Sequence, residues 1–403
     1  MKSNRLNRFG PVLMVGLLMR AALPGFAPDA DAQLPSVITN NLPHALPRRP
    51  SIILMVADGL GYGDLSCYGQ TKFQTPNLDR LAAEGIRFTN YYAGDAASSP
   101  ACATLLLGRD ADHLRQRADV DIPLASGDVT VAQVLKQAGY HTGLIGEWDL
   151  GDNTTGGAPW ERGFDEFAGY LDPIDATNYY ADYMWRYAPR GILTTNNQWK
   201  DFIGKEMLYP NTGGRQGQYT PDLLTKAALN FVKNNQPDQF NFYRPFFLEL
   251  NYTIPGAGNG PVPTDAPYSE EPWPQPQKNK AAMISRLDGY VGQLREQLQG
   301  LGLTNNVVIF FTSDTAPQKG EGVDPGFFHS MIASNTLRVP MLVHWPDKIP
   351  PGQVSAYTCT ASDFLPTAAD IALAKAPADI DGCSVLPTLL GQTQTNRHKF
   401  LRK

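Results

Sequence analysis

Acidic side chains stand where the apolar runs of this sequence end. Four carboxylates occupy such positions: Asp58, Glu147, Asp149 and Asp314. In open α/β sheets ligands bind outside the carboxyl ends of the strands, so these four groups are expected to converge on one rim. A single strand-end acid is as often a helix cap, and it is the coincidence on several strands that favours a site. A cluster of hard oxygen ligands predicts cation binding or acid–base chemistry.

A second feature is the segment SSPACA at residues 98–103. Proline after two serines predicts the first turn of a helix, with Ser99 as its N-cap. Ser98 would then lie at the positive end of the helix dipole, where an anion or a nucleophile is stabilised. A plain capped helix explains the same pattern, because the sequence identifies no base that would activate Ser98.

Apolar runs of strand length alternate with amphipathic helical stretches along the chain. The predicted strands are 51–57, 142–145, 246–250, 307–312 and 339–343, and the predicted helices are 76–85, 129–138 and 281–301. This alternation predicts an α/β protein with a mostly parallel central sheet and helices on both faces.

Composition sets limits on what the protein does. The chain has 403 residues, of which 42% are apolar and 18% charged, and this composition is typical of a globular protein. A formal net charge of -5 argues against a nucleic-acid partner, which would require a basic face.

The first 32 residues predict a secretory signal peptide. Basic residues precede the apolar run 9–19, and Ala30-Asp31-Ala32 fits a small-x-small cleavage site. The apolar run is too short to span a membrane, so we expect a secreted or periplasmic protein without a membrane span. Residues 33–49 predict an extended leader.

The four cysteines are too few and too scattered for a disulfide framework. Cys359 and Cys383 are close enough in sequence to pair in an oxidising compartment, and buried free thiols are the alternative.

Several stretches together resemble a known family. They are residues 57–64, 75–82, 143–151, 163–167, 312–314 and 338–340. With these stretches the chain resembles the secreted arylsulfatase-type sulfatases of the alkaline-phosphatase superfamily. The resemblance implies a sulfatase-type domain over residues 50–391, a Ca2+ ion held by carboxylates and an Asn, and a formylglycine nucleophile. That nucleophile is made from Cys or Ser in a Cys/Ser-x-Pro-x-Arg motif and is surrounded by Lys, His and Arg groups that neutralise sulfate.

Two of the four metal positions implied by the resemblance keep the family residue. Asp58 and Asp314 keep the family residue, whereas Gly59 and Thr315 replace the other two ligands. We therefore expect any Ca2+ binding to be weak.

The catalytic positions are substituted. Ser98 is at the nucleophile position, Cys102 replaces the Arg of the maturation motif, and Glu147 and Asp149 replace a Lys and a His. Two further cationic positions carry other residues, a His position reading Gly256 and a Lys position reading His329. Formylglycine formation is not expected without the motif Arg, and the pocket should repel anions.

These substitutions predict a sulfatase-family protein that is catalytically impaired or inactive and that acts by binding. Two alternatives stay open: an active secreted sulfuric ester hydrolase, and a degenerate product with no selected function. The resemblance ends near residue 391 and leaves a stub at 392–403 where the family's C-terminal subdomain would stand. We expect the surface left uncovered there to meet a glycan, sulfated or unsulfated, or a protein partner.

Overall fold

The computed structural model describes residues 49–115, 124–125, 127–193, 198–236, 244–256, 260–317, 337–395 and 398. The predicted signal peptide and His329 lie outside these residues, as do all but one residue of the predicted leader. None of the described helices is long and apolar enough to cross a membrane.

The strands of the described part of the chain are numbered in chain order. They are β1 Ser51–Asp58, β2 Ile86–Phe88, β3 Tyr91–Tyr92, β4 His141–Glu147, β5 Glu166–Tyr170, β6 Tyr183–Leu193, β7 Trp199–Met207, β8 Phe246–Pro255, β9 Val307–Ser313, β10 Met341–His344, β11 Gln353–Ser355 and β12 Cys359–Thr360.

The α-helices of the same residues are numbered likewise. They are α1 Pro76–Glu84, α2 Ser98–Leu107, α3 Ala111–Arg115, α4 Val131–Gln137, α5 Pro173–Ala176, α6 Thr220–Asn234, α7 Gln275–Gly300, α8 Phe364–Ile371 and α9 Leu386–Leu389.

Within the described residues, ten strands form one sheet in the order β11-β2-β10-β9-β1-β8-β4-β5-β6-β7. The central strands β9, β1, β8, β4 and β5 run parallel to one another. The mostly parallel sheet expected from the sequence is confirmed. Because these strands are parallel, their carboxyl ends meet along one edge, which is where the predicted site residues lie.

Helices cover both faces of the sheet. Alternate residues of β1 point to opposite faces: Ile52 and Leu54 pack into a core with α2, α4 and α8, while Ile53 and Met55 pack into a second core with α1, α6 and α7. Burial on both faces explains why β1 is a continuous apolar run.

Three details differ from the sequence-based expectation. The run expected at 339–343 forms β10, which pairs antiparallel with β9. The helix expected at 281–301 begins earlier, at Gln275. Ser99 is not the N-cap of α2, which begins at Ser98 after an N-cap at Ala97. The serine hydroxyls bond to carboxylates elsewhere in the fold and leave the helix end uncapped by a side chain.

A carboxylate-rich candidate site at the strand ends

Asp58 and Asp314 lie side by side at the ends of β1 and β9. The strands pair in parallel with Ala57 opposite Ser313, so the next residue of each chain segment is an aspartate. The backbone N–H of Asp314 donates to the carbonyl oxygen of Ala57 at 3.0 Å. The N–H of Gly59 donates to Asp314 Oδ1 at 3.1 Å, which holds the carboxylate against the turn after β1.

The Asp314 carboxylate accepts hydrogen bonds on both oxygens. Oδ1 accepts from the backbone N–H and from the hydroxyl of Thr315, at 2.5 and 3.1 Å, in addition to Gly59. Oδ2 accepts from the hydroxyl of Ser98 at 2.6 Å. Burial raises the pKa of Asp314, and these hydrogen bonds oppose that rise. Ser98 is thereby bound directly to one of the retained acids.

Asp149 bonds to the neighbouring serine of the same helix. The hydroxyl of Ser99 donates to Asp149 Oδ2. Asp149 has a φ of 55°, in the left-handed region that non-glycine residues seldom adopt. The first turn of α2 therefore meets carboxylates from two different loops, through Ser98 and Ser99.

Glu147 ends β4 and faces the same acids. Burial raises its pKa well above the ordinary range, and the negative charges of Asp58, Asp314 and Asp149 raise it further. The structure thus brings together the four carboxylates expected to converge.

Gly256 follows β8 and closes the other side of this group. A Cβ at this position would lie 2.6 Å from the Tyr179 hydroxyl and 3.3 Å from Asp58 Oδ2, and the φ of 54° is in the left-handed region. A larger side chain does not fit here while Tyr179 is present. Burial raises the pKa of Tyr179, and the charges of Asp58 and Glu147 raise it further. No motif in the sequence marks Tyr179 as a site residue, and its contact with Gly256 becomes visible only in the structure.

A fifth acid, Glu249, lies beneath the site on β8. It is 2% exposed, and burial raises its pKa to about 8. Its Oε1 accepts from Asn251 Nδ2 at 3.2 Å. Glu249 Oε2 and Asn251 Oδ1 have no hydrogen-bond partner among the residues that the structure describes. Both residues line a cavity of about 10 Å³, roughly the space of one water, together with Asp314 and Cys102. The signal in the sequence was a single acid inside the apolar run 246–250.

Cys102 lies on α2 at the position where the resemblance expects an arginine. Burial raises the pKa of its thiol well above the usual range, and the charges of Asp314, Glu147 and Glu249 add to this. The thiol is neutral at ordinary pH and supplies no positive charge to the pocket.

The calcium ion implied by the resemblance does not fit these residues well. Gly59 has no side chain, and the hydroxyl of Thr315 is bonded to Asp314. Among the described residues, no three of the site carboxylates bring ligand oxygens within 4.8 Å of one another. Bound Ca2+ needs six to eight oxygens at about 2.3–2.6 Å, so a tight site is not preformed.

Comparison with known proteins places these residues in context. Residues 50–374 match the family model described as Sulfatase. The chain is 30% identical to the N-acetylgalactosamine-6-sulfatase of Canis lupus familiaris over 377 residues, covering 88% of this chain and 68% of the relative. It is 31% identical to arylsulfatase A of Homo sapiens, covering 88% and 71% of the two chains. The chain thus spans about two thirds of the length of these relatives.

Solved structures agree on the fold. The crystal structure of Ps i-CgsB in complex with k-i-k-neocarrahexaose matches with a TM-score of 0.68 at 27% identity, covering 85% of this chain and 76% of that one. The phosphonate monoester hydrolase of Agrobacterium radiobacter matches with a TM-score of 0.58 at 18% identity and shares the fold.

Proposed function

Since this chain belongs to the sulfatase family, we propose that it keeps the family fold, does not hydrolyse sulfate esters, and acts as a secreted binding protein. The observation that carries the proposal is the cluster of Asp58, Glu147, Asp149 and Asp314 at the strand ends. A hydrolase of sulfate esters has to stabilise negative charge at this place.

Electrostatics is the first argument for lost catalysis. A sulfate ester is an anion, and the groups acting most strongly on Glu147 in the described part of the chain are Asp58, Asp314 and Asp149, all of them acids. Removing one preorganised donor from a catalytic site costs about 100- to 1000-fold in rate. Here acids stand at two positions where the family has cations, which replaces attraction by repulsion.

The nucleophile is the second argument. Ser98 lacks the arginine of the maturation motif, because Cys102 stands in its place. Its hydroxyl is instead bonded to Asp314 Oδ2 at 2.6 Å. We infer that Ser98 stays serine and positions the Asp314 carboxylate.

A glycan is the ligand class we propose. The relatives include N-acetylgalactosamine-6-sulfatases, and the Ps i-CgsB structure is a complex with k-i-k-neocarrahexaose by its printed name. An acid-rich pocket favours a neutral or amino-bearing sugar over a sulfated one at this position. Hydroxyl and ammonium groups donate hydrogen bonds to carboxylates, whereas sulfate oxygens do not.

A second candidate is a hydrolase that uses Ser98 directly. The hydrogen bond from Ser98 to Asp314 Oδ2 is the observation that favours it, since a carboxylate in this position is able to accept the hydroxyl proton. The same acids would repel the oxyanion that such a reaction forms, so we rank it second.

The test is turnover of an aryl sulfate by the mature protein, co-expressed with a formylglycine-forming enzyme. We expect the wild-type protein to release no phenol above background. The matched control is Ser98→Cys with Cys102→Arg, which restores the maturation motif and leaves Glu147 and Asp149 unchanged. We expect its cysteine to be converted and the rate to stay at background, because the acids remain.

Two results would contradict the proposal. Turnover by the wild type that disappears in Ser98→Ala would establish a hydrolase. Full turnover by the motif-restored variant would show that the acids at 147 and 149 do not block sulfate. Calorimetry with neutral, amino and sulfated oligosaccharides then tests the ligand class, and a preference for the sulfated one would reject it.

A further inference from the structure

A second cluster of ligand-type side chains lies at the opposite end of α2 from the carboxylate pocket. Asp363 immediately precedes α8, Cys383 lies between α8 and α9, and His398 follows α9. In the part of the chain that the structure describes, these three form the group of His, Cys, Asp or Glu residues whose potential ligand atoms all lie within 4.8 Å of one another. The ten residues of α2, about 15 Å, separate this cluster from Ser98.

The backbone holds Cys383 firmly in place. The N–H of Cys383 donates to Asp363 Oδ1 at 2.6 Å, and the N–H of Gly382 donates to the carbonyl oxygen of Gly108 at 3.1 Å. A Cβ at Gly382 would lie 1.9 Å from the carbonyl oxygen of Ser362, so glycine is required for this approach. The backbone at Cys383 is fixed before any ligand binds, which lowers the entropy cost of binding.

His398 is held to the same carboxylate. Its Nε2 lies 2.8 Å from Asp363 Oδ2, and the two side chains are 5% and 3% exposed. A second acid lies beside them, because the hydroxyl of Ser362, the residue before Asp363, donates to Asp110 Oδ1 at 2.8 Å. Two carboxylates next to an imidazole and a thiol favour a cation at this place.

A thiolate, an imidazole and a carboxylate are the ligand types of zinc, a borderline ion that the softer thiolate selects over Ca2+ and Mg2+. We propose that Asp363, Cys383 and His398 bind one zinc ion, with water at the fourth position. The thiol proton of Cys383 and the proton that His398 shares with Asp363 both leave to solvent when the metal binds. The ion would link the residue before α8, Asp363, to His398 after α9. This inference does not depend on the proposed function, since the two sites share no residue.

Cys359 supplies a matched control. It is a buried thiol in the same region, whose pKa is raised by burial and by the charge of Asp363. Its Sγ contacts the carbonyl oxygens of Asn90 and Tyr357 at 3.9 and 3.8 Å and lies outside the three-residue group. Cys359→Ser should leave zinc binding unchanged, whereas Cys383→Ser should weaken it.

The experiment uses the full mature chain, treated with a chelator and titrated with Zn2+ by calorimetry, with Ca2+ as a second probe. We expect one Zn2+ per chain and no Ca2+ at this cluster. Cys383→Ser and His398→Gln should each weaken Zn2+ binding by more than the 10- to 100-fold typical of losing an outer-shell partner. Cys359→Ser should lose less than this 10- to 100-fold, because its thiol is not a ligand. If Cys359→Ser does not fold, Cys67→Ser takes its place.

Co2+ gives a readout that does not depend on any variant folding. Bound at this cluster, it should show the near-ultraviolet absorption of a thiolate–cobalt bond. Absence of that band, Zn2+ affinity unchanged in Cys383→Ser, or a Cys359–Cys383 disulfide in the isolated protein would each overturn the proposal.

Discussion

Glu249 makes a quantitative prediction about stability and pH. Its pKa rises from 4.5 to about 8 because the side chain is buried on β8. The folded state therefore holds a proton that the unfolded chain releases, so its stabilising effect is complete below pH 4.5 and is lost as the pH rises through 8. At 1.36 kcal/mol per pKa unit, we expect the wild type to lose about 3 kcal/mol from this group between pH 6 and pH 9.

Glu249→Gln removes the ionisation and keeps the shape and the acceptor for Asn251. The free energy of unfolding, measured with urea at pH 6, 7.5 and 9, should fall less steeply with pH in the variant than in the wild type. Comparing the two cancels the titration of Glu147 and Asp314, which are present in both. Glu270→Gln, at an exposed position, is the control and should run parallel to the wild type. Parallel curves for Glu249→Gln would refute the reasoning.

Three other outcomes follow from the site. The peptide containing Ser98, from protein co-expressed with a formylglycine-forming enzyme, should keep its full mass; loss of two hydrogens would show conversion. Gly256→Ala should destabilise the protein by about 1–3 kcal/mol through its positive φ and the 2.6 Å approach of Tyr179; denaturation should show a smaller loss in a Tyr179→Phe background, and an equal loss would remove the steric argument. Calorimetry with Ca2+ should detect no sub-micromolar binding, since the ligand set is incomplete; a tighter site would contradict the geometry.

The parallel core could be predicted because both faces of its strands are buried. β1 and β9 are continuous apolar runs, and their carboxyl ends had to meet on one edge, which placed Asp58 beside Asp314. The direction of β10 could not be predicted in this way. An apolar run has the same pattern whether a strand is parallel or antiparallel.

Contacts between distant segments account for the rest of the site. Ser98 meets Asp314 across 216 residues of sequence, and no local pattern encodes that distance. The same holds for Tyr179, whose hydroxyl approaches Gly256 from a segment 77 residues earlier in the chain. Glu249 did carry a local signal, because it is the single acid in the apolar run 246–250. That its side chain is buried follows only from the pairing of β8 with β1 on one side and β4 on the other.

The substitutions at this site depend on one another. With Cys102 where the family has arginine, the buried Glu249 and Asp314 have no cation from that position. Glu249 is instead neutralised by protonation, and Asp314 is satisfied by hydrogen bonds from Gly59, Ser98 and Thr315. In a Cys102→Arg variant, the guanidinium would first pair with Glu249 and Asp314, because a buried charge is costly unless it is paired. Its positive charge would then be neutralised by Glu249 and Asp314 and would not act on a substrate. Glu147 and Asp149 would be unchanged. The proposed binding role therefore predicts that no single substitution at 98, 102, 147 or 149 gives sulfate hydrolysis, and that several have to be combined.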